Sequence, residues 1–209
     1  MLIMEAVLEI YDAPDVALWP VADSSNDHLL PLSGRLSARE IGTAIAVLTS
    51  YNKSDDGVPA RGPETSAGQV SQLLTADQVI APGGIRIRET STGVTAPPGC
   101  CFGVENWRDW LEFMDGEEPW LGHGPARRTE HTGTTVRLWP DTEHLDGLTI
   151  ELPLAQLPEL LSSVQAQLVA FLASVREWAT RYAAPLADAL VTKLDEDLVI
   201  TTPLCDNQS

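Results

Sequence analysis

The chain has 209 residues and carries 30 Asp and Glu against 13 Lys and Arg, for a formal net charge of −17. Its 44% hydrophobic and 21% charged residues are typical of a folded globular protein and exclude wholesale disorder. The acidic excess opposes general binding to nucleic acid or to an anionic membrane, because both are recognised through Lys and Arg.

The N-terminus is apolar but does not have the pattern of a secretory signal. No basic residue precedes the apolar stretch, and Glu5 and Glu9 soon interrupt it. No run of about 18 apolar residues is present that would predict a membrane span. The three cysteines do not have the spacing of a disulfide framework. We therefore expect a cytoplasmic protein with reduced thiols.

The first elements are predicted to be strands followed by a helix. Ala6, Leu8 and Ile10 alternate with their neighbours in the pattern of a half-buried strand, and residues 16–21 are predicted to pair with it. Ser37 and Glu40 then have the spacing of a capping box, and apolar residues follow at helical intervals. The sequence predicts a short helix there.

The middle of the chain alternates between a loop, a strand and a helix. Residues 51–68 contain two Pro and three Gly without an apolar period, which predicts a flexible loop. A strand is predicted from Gly83, with isoleucines on one face and arginines on the other. From Val104 the pattern is helical, and Gly116 is placed to end that helix. The stripe predicted for it is Val104, Trp107, Leu111 and Met114.

The remaining elements are a hairpin and two helices. Residues 134–141 and 148–153 are predicted to form antiparallel strands, the second with an apolar face of Leu148, Ile150 and Leu152. An apolar stripe predicts a long helix over residues 157–182, with Pro158 near its start. Pro185 interrupts it, and a second helix follows with Leu186, Leu190 and Leu194 aligned, before a tail from residue 197 that is predicted to add an edge strand.

This order of elements predicts the fold class. We expect one α+β domain over residues 1–209, with a mixed or antiparallel sheet and a long C-terminal helix pair packed on it. The chain contains no P-loop, dinucleotide-binding, H-E-x-x-H or G-x-S-x-G motif. The sequence therefore indicates no particular enzyme class.

Three groups of residues are candidates for chemistry. Cys100 and Cys101 could bind zinc with His123 or His131. Neighbouring side chains of a strand point to opposite faces, however, and no C-x-x-C pair completes four ligands. The six carboxylates that follow would raise the pKa of a nucleophilic thiol. The sequence therefore predicts no metal and no other cofactor.

Two further groups are interpreted as structural. Residues 141–147 contain four oxygen or nitrogen donors that could hold Ca²⁺, but they lack the order of an EF-hand and are interpreted as a solvated acidic loop. His123 lies between two glycines and could transfer protons. It is interpreted instead as a turn histidine that hydrogen-bonds to the backbone.

Residues 100–125 combine acidic and aromatic side chains, which is typical of a recognition surface. Arg108 is the one basic residue among six carboxylates between positions 105 and 118. Aromatic anchors beside charges that steer a partner are common at interfaces. A helix packed through Trp107 with a solvated acidic face is an equally compatible interpretation. The residues predicted to bind a partner are Glu105, Asp109, Trp110, Glu112, Asp115, Glu117, Glu118, Trp120 and His123.

The same stretch carries a resemblance. The string Cys101-x-Gly103-x-Glu105-x-Trp107-x-x-Trp110, followed by Pro119-Trp120-x-Gly122-His123, resembles a core in uncharacterised actinobacterial proteins, and it implies no activity. In size, acidity and lack of catalytic motifs, the chain is similar in general character to immunity proteins that neutralise bacterial toxins.

That similarity implies an acidic cytoplasmic protein that binds and neutralises a basic protein partner. Two alternatives remain open. One is an enzyme or small-ligand-binding protein that uses Cys101, His123 and nearby carboxylates. The other is a structural subunit that forms a homo-oligomer through the helices of residues 157–194.

Overall fold

The computed structural model describes residues 1–10, 18–23, 28–53, 65–124, 127–141 and 148–204. This part of the chain has an α+β fold, as predicted. Its strands are β1 Leu2–Glu9, β2 Leu29–Pro31, β3 Gly83–Glu89, β4 Thr95–Ala96, β5 Arg128–His131, β6 Thr135–Trp139 and β7 Ile150–Pro153. Its α-helices are α1 Ala38–Tyr51, α2 Ser66–Leu74, α3 Leu157–Tyr182 and α4 Ala187–Asp197.

The larger sheet has the order β2-β1-β3-β4, and all of its pairs are antiparallel. The predicted alternation of β1 is confirmed at Met4, Ala6 and Leu8, which are buried in the strand that α3 packs against. It does not extend to exposure, because Val7, between two of them, is also completely buried. Glu5 lies directly across from Arg86 of β3, and their side chains form an ion pair at 3.0 Å. Apolar residues therefore face the core at positions two apart, as a half-buried sheet requires.

The second sheet has the order β5-β6-β7 and contains the predicted hairpin. Ile150 and Leu152 are buried as expected, whereas Leu148 is half exposed and precedes the strand. The strand β5 was not predicted. Its four residues are RTEH, which offer no apolar alternation.

The C-terminal helices follow the predicted pattern. The side chains of α3 at positions 157, 161, 164, 168, 171 and 175 are completely buried, and Pro158 occupies the first turn. A short 3₁₀ turn, Ala184–Leu186, separates α3 from α4, and the two helices pack together. The predicted edge strand after residue 197 is wrong for the described part of the tail, since Asp197 ends α4 and no strand follows up to residue 204.

Two further predictions near the N-terminus are corrected. Residues 18–21 form a turn and irregular chain, and β2 is the strand that pairs with β1. The loop predicted over 51–68 is shorter at both ends, because Tyr51 belongs to α1 and Ser66 begins α2. Residues 54–64 lie outside the described part. The capping box of α1 is confirmed, with Ser37 and Glu40 bonded reciprocally.

The helix from Val104 is a 3₁₀ helix, Val104–Asp115, and this changes which side chains face the core. Val104, Trp107, Trp110 and Phe113 are buried at intervals of three, because a 3₁₀ helix has three residues per turn. The predicted stripe assumed 3.6 residues per turn and included Met114, which is 44% exposed. The surface position predicted for Trp110 is therefore wrong, although Gly116 ends the helix as expected.

The buried side chains form one contiguous cluster that runs from Met4 of β1 to Ile200 beyond α4. Within the described ranges, the chain has no helix with both the length and the apolar character needed to cross a bilayer. The apolar stripe of the long helix α3 is buried inside the protein.

Adjacent residues on α3 allow a matched test of this packing. Leu168 is completely buried and Val169 is 43% exposed. Leu168→Ala is expected to lower the free energy of unfolding by about 2–5 kcal/mol, because it leaves a cavity in the core. Val169→Ala is expected to change it by less than about 0.5 kcal/mol. Chemical denaturation measures both, and equal effects would contradict the packing described.

Candidate functional site

The candidate site is positioned by a short segment, residues 79–82, that lies between α2 and β3. Three consecutive amides of this segment donate to three side chains from distant parts of the chain. Val79 N donates to Asp197 Oδ2 at 2.7 Å, Ile80 N to Asn52 Oδ1 at 2.8 Å and Ala81 N to Glu105 Oε2 at 3.0 Å. The segment thereby joins α4, the end of α1 and the start of the 3₁₀ helix.

Glu105 has a structural role at this junction. Its carboxylate accepts from Ala81, and Val104 N donates back to the carbonyl of Ala81 at 2.8 Å. Burial raises the pKa of Glu105, while backbone hydrogen bonds oppose the rise. Glu105, which was predicted to bind a partner, thus makes a contact that holds the start of the 3₁₀ helix against the segment leading into the larger sheet.

A cavity of about 480 Å³ opens beside this junction. Two carboxylates contribute to its wall, and burial raises the pKa of Glu9 as it does that of Glu105. The described lining contains no Lys, Arg or His. The lining residues are Glu9, Val47, Ser50, Tyr51, Ile80, Pro82, Gly83, Cys101, Phe102, Gly103 and Glu105.

Arg108, the one basic residue of the acidic stretch, is engaged with the C-terminal segment. Its guanidinium donates to the carbonyls of Val199 at 2.8 Å and Pro203 at 3.0 Å, and also to that of Thr202. It also lies 4.8 Å from the ring centroid of Trp107. Its charge is therefore directed at backbone oxygens and not at the neighbouring carboxylates.

The remaining carboxylates of the stretch form an acidic surface, which we define as Asp109, Glu112, Asp115, Glu117 and Glu118. The last three are exposed, and Asp109 and Glu112 are partly buried. None of the five has an ion-pair partner among the residues that the structure describes. Burial and the charge of Glu112 raise the pKa of Asp109, so these groups repel one another.

An aromatic corner follows the acidic surface directly. Trp120 is 52% exposed, and its ring meets His123 edge-on with centroids 5.2 Å apart. Phe102 contacts the same indole at 6.2 Å. His131 lies within hydrogen-bond distance of the Glu117 carbonyl, at 3.1 Å, and this contact connects the chain after the 3₁₀ helix to β5. Trp120 is thus held by neighbouring rings while half of it faces solvent.

Cys100 and Cys101 lie in a turn, so the expectation that they point to opposite faces of a strand is wrong. Cys101 has a left-handed backbone, with φ of +66°. The two sulfurs and a ring nitrogen of His123 all lie within 4.8 Å of one another, and all three residues are exposed. A hydrogen bond with Cys100, together with the negative charge of Cys100 in its thiolate form, raises the pKa of Cys101.

The described residues thus bring together most, but not all, of the predicted site. Asp109, Glu112, Asp115, Glu117, Glu118, Trp120 and His123 form the acidic surface and aromatic corner, while Trp110 is in the core and Glu105 is at the junction. Residues 142–147, which include most of the predicted acidic loop, lie outside the described part. Glu9 and Tyr51 of the cavity were not predicted, since they lie far apart in sequence and carry no motif.

No protein-family model, no curated protein and no solved structure matches the chain. The arrangement of its own side chains is therefore the basis for a functional interpretation.

The raised pKa of Glu105 predicts a pH-dependent effect on stability. The Glu105 carboxyl group holds its proton more tightly in the folded protein than in the unfolded chain. As the pH rises through the raised pKa, Glu105 ionises in the folded protein, and the free energy of unfolding falls. Glu105→Gln retains an acceptor for Ala81 N and removes the ionisation. We expect the variant to gain stability relative to the native protein as the pH rises from about 4, the ordinary pKa range of a glutamate, through the raised pKa.

Urea denaturation across that pH range measures the difference. The matched control is Glu177→Gln, which removes one exposed carboxylate from α3. A stability difference that stays flat, or that favours the native protein as pH rises, would contradict the burial described for Glu105.

Proposed function

We propose that this is an acidic cytoplasmic protein that binds and neutralises a basic protein partner, most specifically an immunity protein that blocks a bacterial toxin. The observation that carries the proposal is the acidic surface, whose five carboxylates have no described ion-pair partner and lead directly into the half-exposed Trp120. A basic surface of a partner supplies the opposite charge that this region lacks.

The direction of Arg108 supports this proposal. Its guanidinium is used by the C-terminal carbonyls, so it does not neutralise the acidic surface locally. The whole chain adds a net charge of −17 to this local excess. Such a field accelerates the approach of a cationic protein and falls with ionic strength.

Trp120 supplies the contact that would keep a partner bound. Tryptophan is enriched at the energetic centres of interfaces, where burial of its ring slows dissociation. Here the ring is held by His123 and Phe102, so little side-chain freedom is lost when its exposed part is covered. The alternative of oligomerisation through α3 receives less support, because the apolar stripe of that helix is buried within the chain.

The proposal is tested with a partner captured from the source organism or co-expressed from a neighbouring reading frame. Glu117→Lys combined with Glu118→Lys is expected to lower the association rate constant about tenfold or more at low salt, because steering is reversed. The effect is expected to shrink as the Debye length falls from about 10 Å at 0.1 M to about 3 Å at 1 M salt. Surface plasmon resonance measures both.

The control reverses the charge at two exposed positions away from the acidic surface, through Glu177→Lys with Glu196→Lys. It has the same net charge as the Glu117→Lys, Glu118→Lys variant. Trp120→Ala, once circular dichroism shows that it is folded, is expected to raise the dissociation rate by about 30-fold, equivalent to about 2 kcal/mol. Binding that responds equally to both charge pairs, and not to Trp120→Ala, would show that the interface lies elsewhere.

A second candidate function rests on the cavity. Its volume is in the range of small-ligand sites, and its wall combines two carboxylates with apolar and aromatic side chains. Desolvation opposes the ionised forms of Glu9 and Glu105, and a bound organic cation would offset that penalty. The cavity therefore suits a small amine, and the exposed phenol of Tyr51 lies at its wall.

Isothermal titration calorimetry with spermidine and choline tests this candidate. Glu9→Gln is expected to weaken binding of either cation by about tenfold, the equivalent of roughly 1.4 kcal/mol. Glu177→Gln, which removes the same charge away from the cavity, is expected to leave the affinity unchanged. Equal effects of the two variants would indicate general attraction to an acidic protein and no site in the cavity.

A further inference from the structure

We propose that Cys100, Cys101 and His123 form a binding site for zinc, with two thiolates and one imidazole as ligands and one coordination position left open. This site shares His123 with the contact that holds Trp120, but it includes none of the five carboxylates of the acidic surface and does not depend on the proposed protein partner. The two sulfurs and the imidazole nitrogen lie within 4.8 Å of one another on the surface, where a metal ion has direct access.

The spacing of these donors is close to that of a metal site. With Zn–S bonds of about 2.3 Å and Zn–N bonds of about 2.0–2.1 Å, donors of a tetrahedral zinc lie about 3.5–3.8 Å apart. The donors therefore need to approach one another by about 1 Å at most to reach these distances. Rotation about the terminal bonds of three exposed side chains can supply that movement. Two thiolates with one imidazole are a donor set that selects zinc over calcium or magnesium, which prefer oxygen.

The backbone is built to bring the two ligand segments together. Cys100 N donates to the Gly124 carbonyl at 2.7 Å, and His123 N donates to the Cys100 carbonyl at 3.1 Å. A Cβ on Gly99 would lie 2.2 Å from the Leu121 carbonyl oxygen, and one on Gly122 would lie 2.6 Å from that of Cys100. Glycine at both positions is therefore what permits the close crossing that places His123 beside the thiols.

The conformation of Cys101 is a second, independent observation. Its φ of +66° is in the left-handed region, which a residue with a side chain rarely adopts. An extended backbone would direct the two adjacent thiols to opposite sides. Here the left-handed turn places both sulfurs on the side of His123, which is the arrangement that a shared metal ion requires.

The proposed zinc site adjoins the Trp120 ring on one side and the cavity on the other. The Trp120 ring packs edge-on against the His123 ring, with centroids 5.2 Å apart. Cys101 belongs both to the cluster and to the wall of the cavity. Because the described residues supply three donors, zinc would keep a position for water or for a ligand at the edge of that cavity.

Cobalt(II) is a spectroscopic probe for this site, since it enters tetrahedral zinc sites and reports thiolate ligands by charge-transfer absorption. Reduced, untagged protein is expected to bind one cobalt ion per chain, with tetrahedral visible bands and thiolate charge transfer. Zinc is expected to displace cobalt and to raise the thermal unfolding midpoint, because it binds the folded state.

Variants of the three ligands decide the assignment. Cys100→Ser and Cys101→Ser are expected to lose the charge-transfer band. Loss of a residue that only supports a metal ligand can lower metal affinity by roughly 100-fold, and His123→Ala, which removes a ligand itself, is expected to lower zinc affinity at least as much. Cys205→Ser and His131→Gln are the matched controls and are expected to leave binding unchanged. Each of these five substitutions is made singly, and circular dichroism checks that each variant is folded.

The proposal is overturned if the reduced protein shows no tetrahedral cobalt signature, or if the signature persists in Cys100→Ser or disappears in Cys205→Ser. Reduced protein that binds no metal, while Cys100 and Cys101 oxidise readily to a disulfide with each other, would identify the pair as a redox couple and exclude the zinc site. Mass spectrometry of intact protein without reductant detects that disulfide.

Discussion

Three consecutive backbone amides in the segment 79–82 need hydrogen-bond acceptors, and the rest of the structure depends on this constraint. Val79 and Ala81 are buried and Ile80 and Pro82 are partly buried, but the segment belongs to no helix or strand, so its amides have no regular hydrogen-bond ladder to join. Asp197, Asn52 and Glu105 accept from the three amides, and Asn52 also donates to the Ile80 carbonyl at 2.8 Å. An unpaired buried amide is costly, so these side chains are required to come together.

The same constraint explains how the cavity and the candidate surface are placed. Glu105 holds the start of the 3₁₀ helix to the sheet, which leaves the later part of that helix to present its carboxylates outward. Several of the few cations are used inside the fold. Arg86 pairs with Glu5, Lys193 lies 3.1 Å from Asp197, and Arg108 holds the C-terminal segment. Of these three, Arg108 is the one next to the acidic surface, and its contacts with carbonyl oxygens leave the carboxylates there without a local positive charge.

Much of the architecture could be predicted from sequence, because periodicity and capping are local signals. The strand β1, the capping box of α1, the β6–β7 hairpin and the long helix α3 follow from alternation, from Ser37 with Glu40 and from an unbroken apolar stripe. The helix α2 was missed because its sequence SAGQVSQLL follows a Gly- and Pro-rich stretch and has few apolar residues. Its cap, Thr65, was the available signal.

The errors at the candidate site have a different origin. Trp110 was assigned to the surface because an α-helical period was assumed, and three residues per turn move it into the core beside Trp107. The contacts of Glu105 and Asn52 join residues far apart in sequence, which no local pattern reveals. The relation of Cys100 and Cys101 to His123 depends on a left-handed residue that is not glycine, and such positions have no dependable sequence signal.

The crossing of residues 99–101 over 121–124 has a consequence for how this protein can diverge. The crossing is held by backbone hydrogen bonds and by the absence of side chains at Gly99 and Gly122, so it does not depend on which side chains occupy the turn. The two glycines are constrained by geometry and position 101 by its left-handed backbone, whereas the exposed side chains at positions 100 and 123 are not needed to hold the crossing. Related chains could therefore keep the same scaffold while exchanging the Cys100 thiol and the imidazole for other groups, which makes this corner a place where new chemistry can arise at little structural cost.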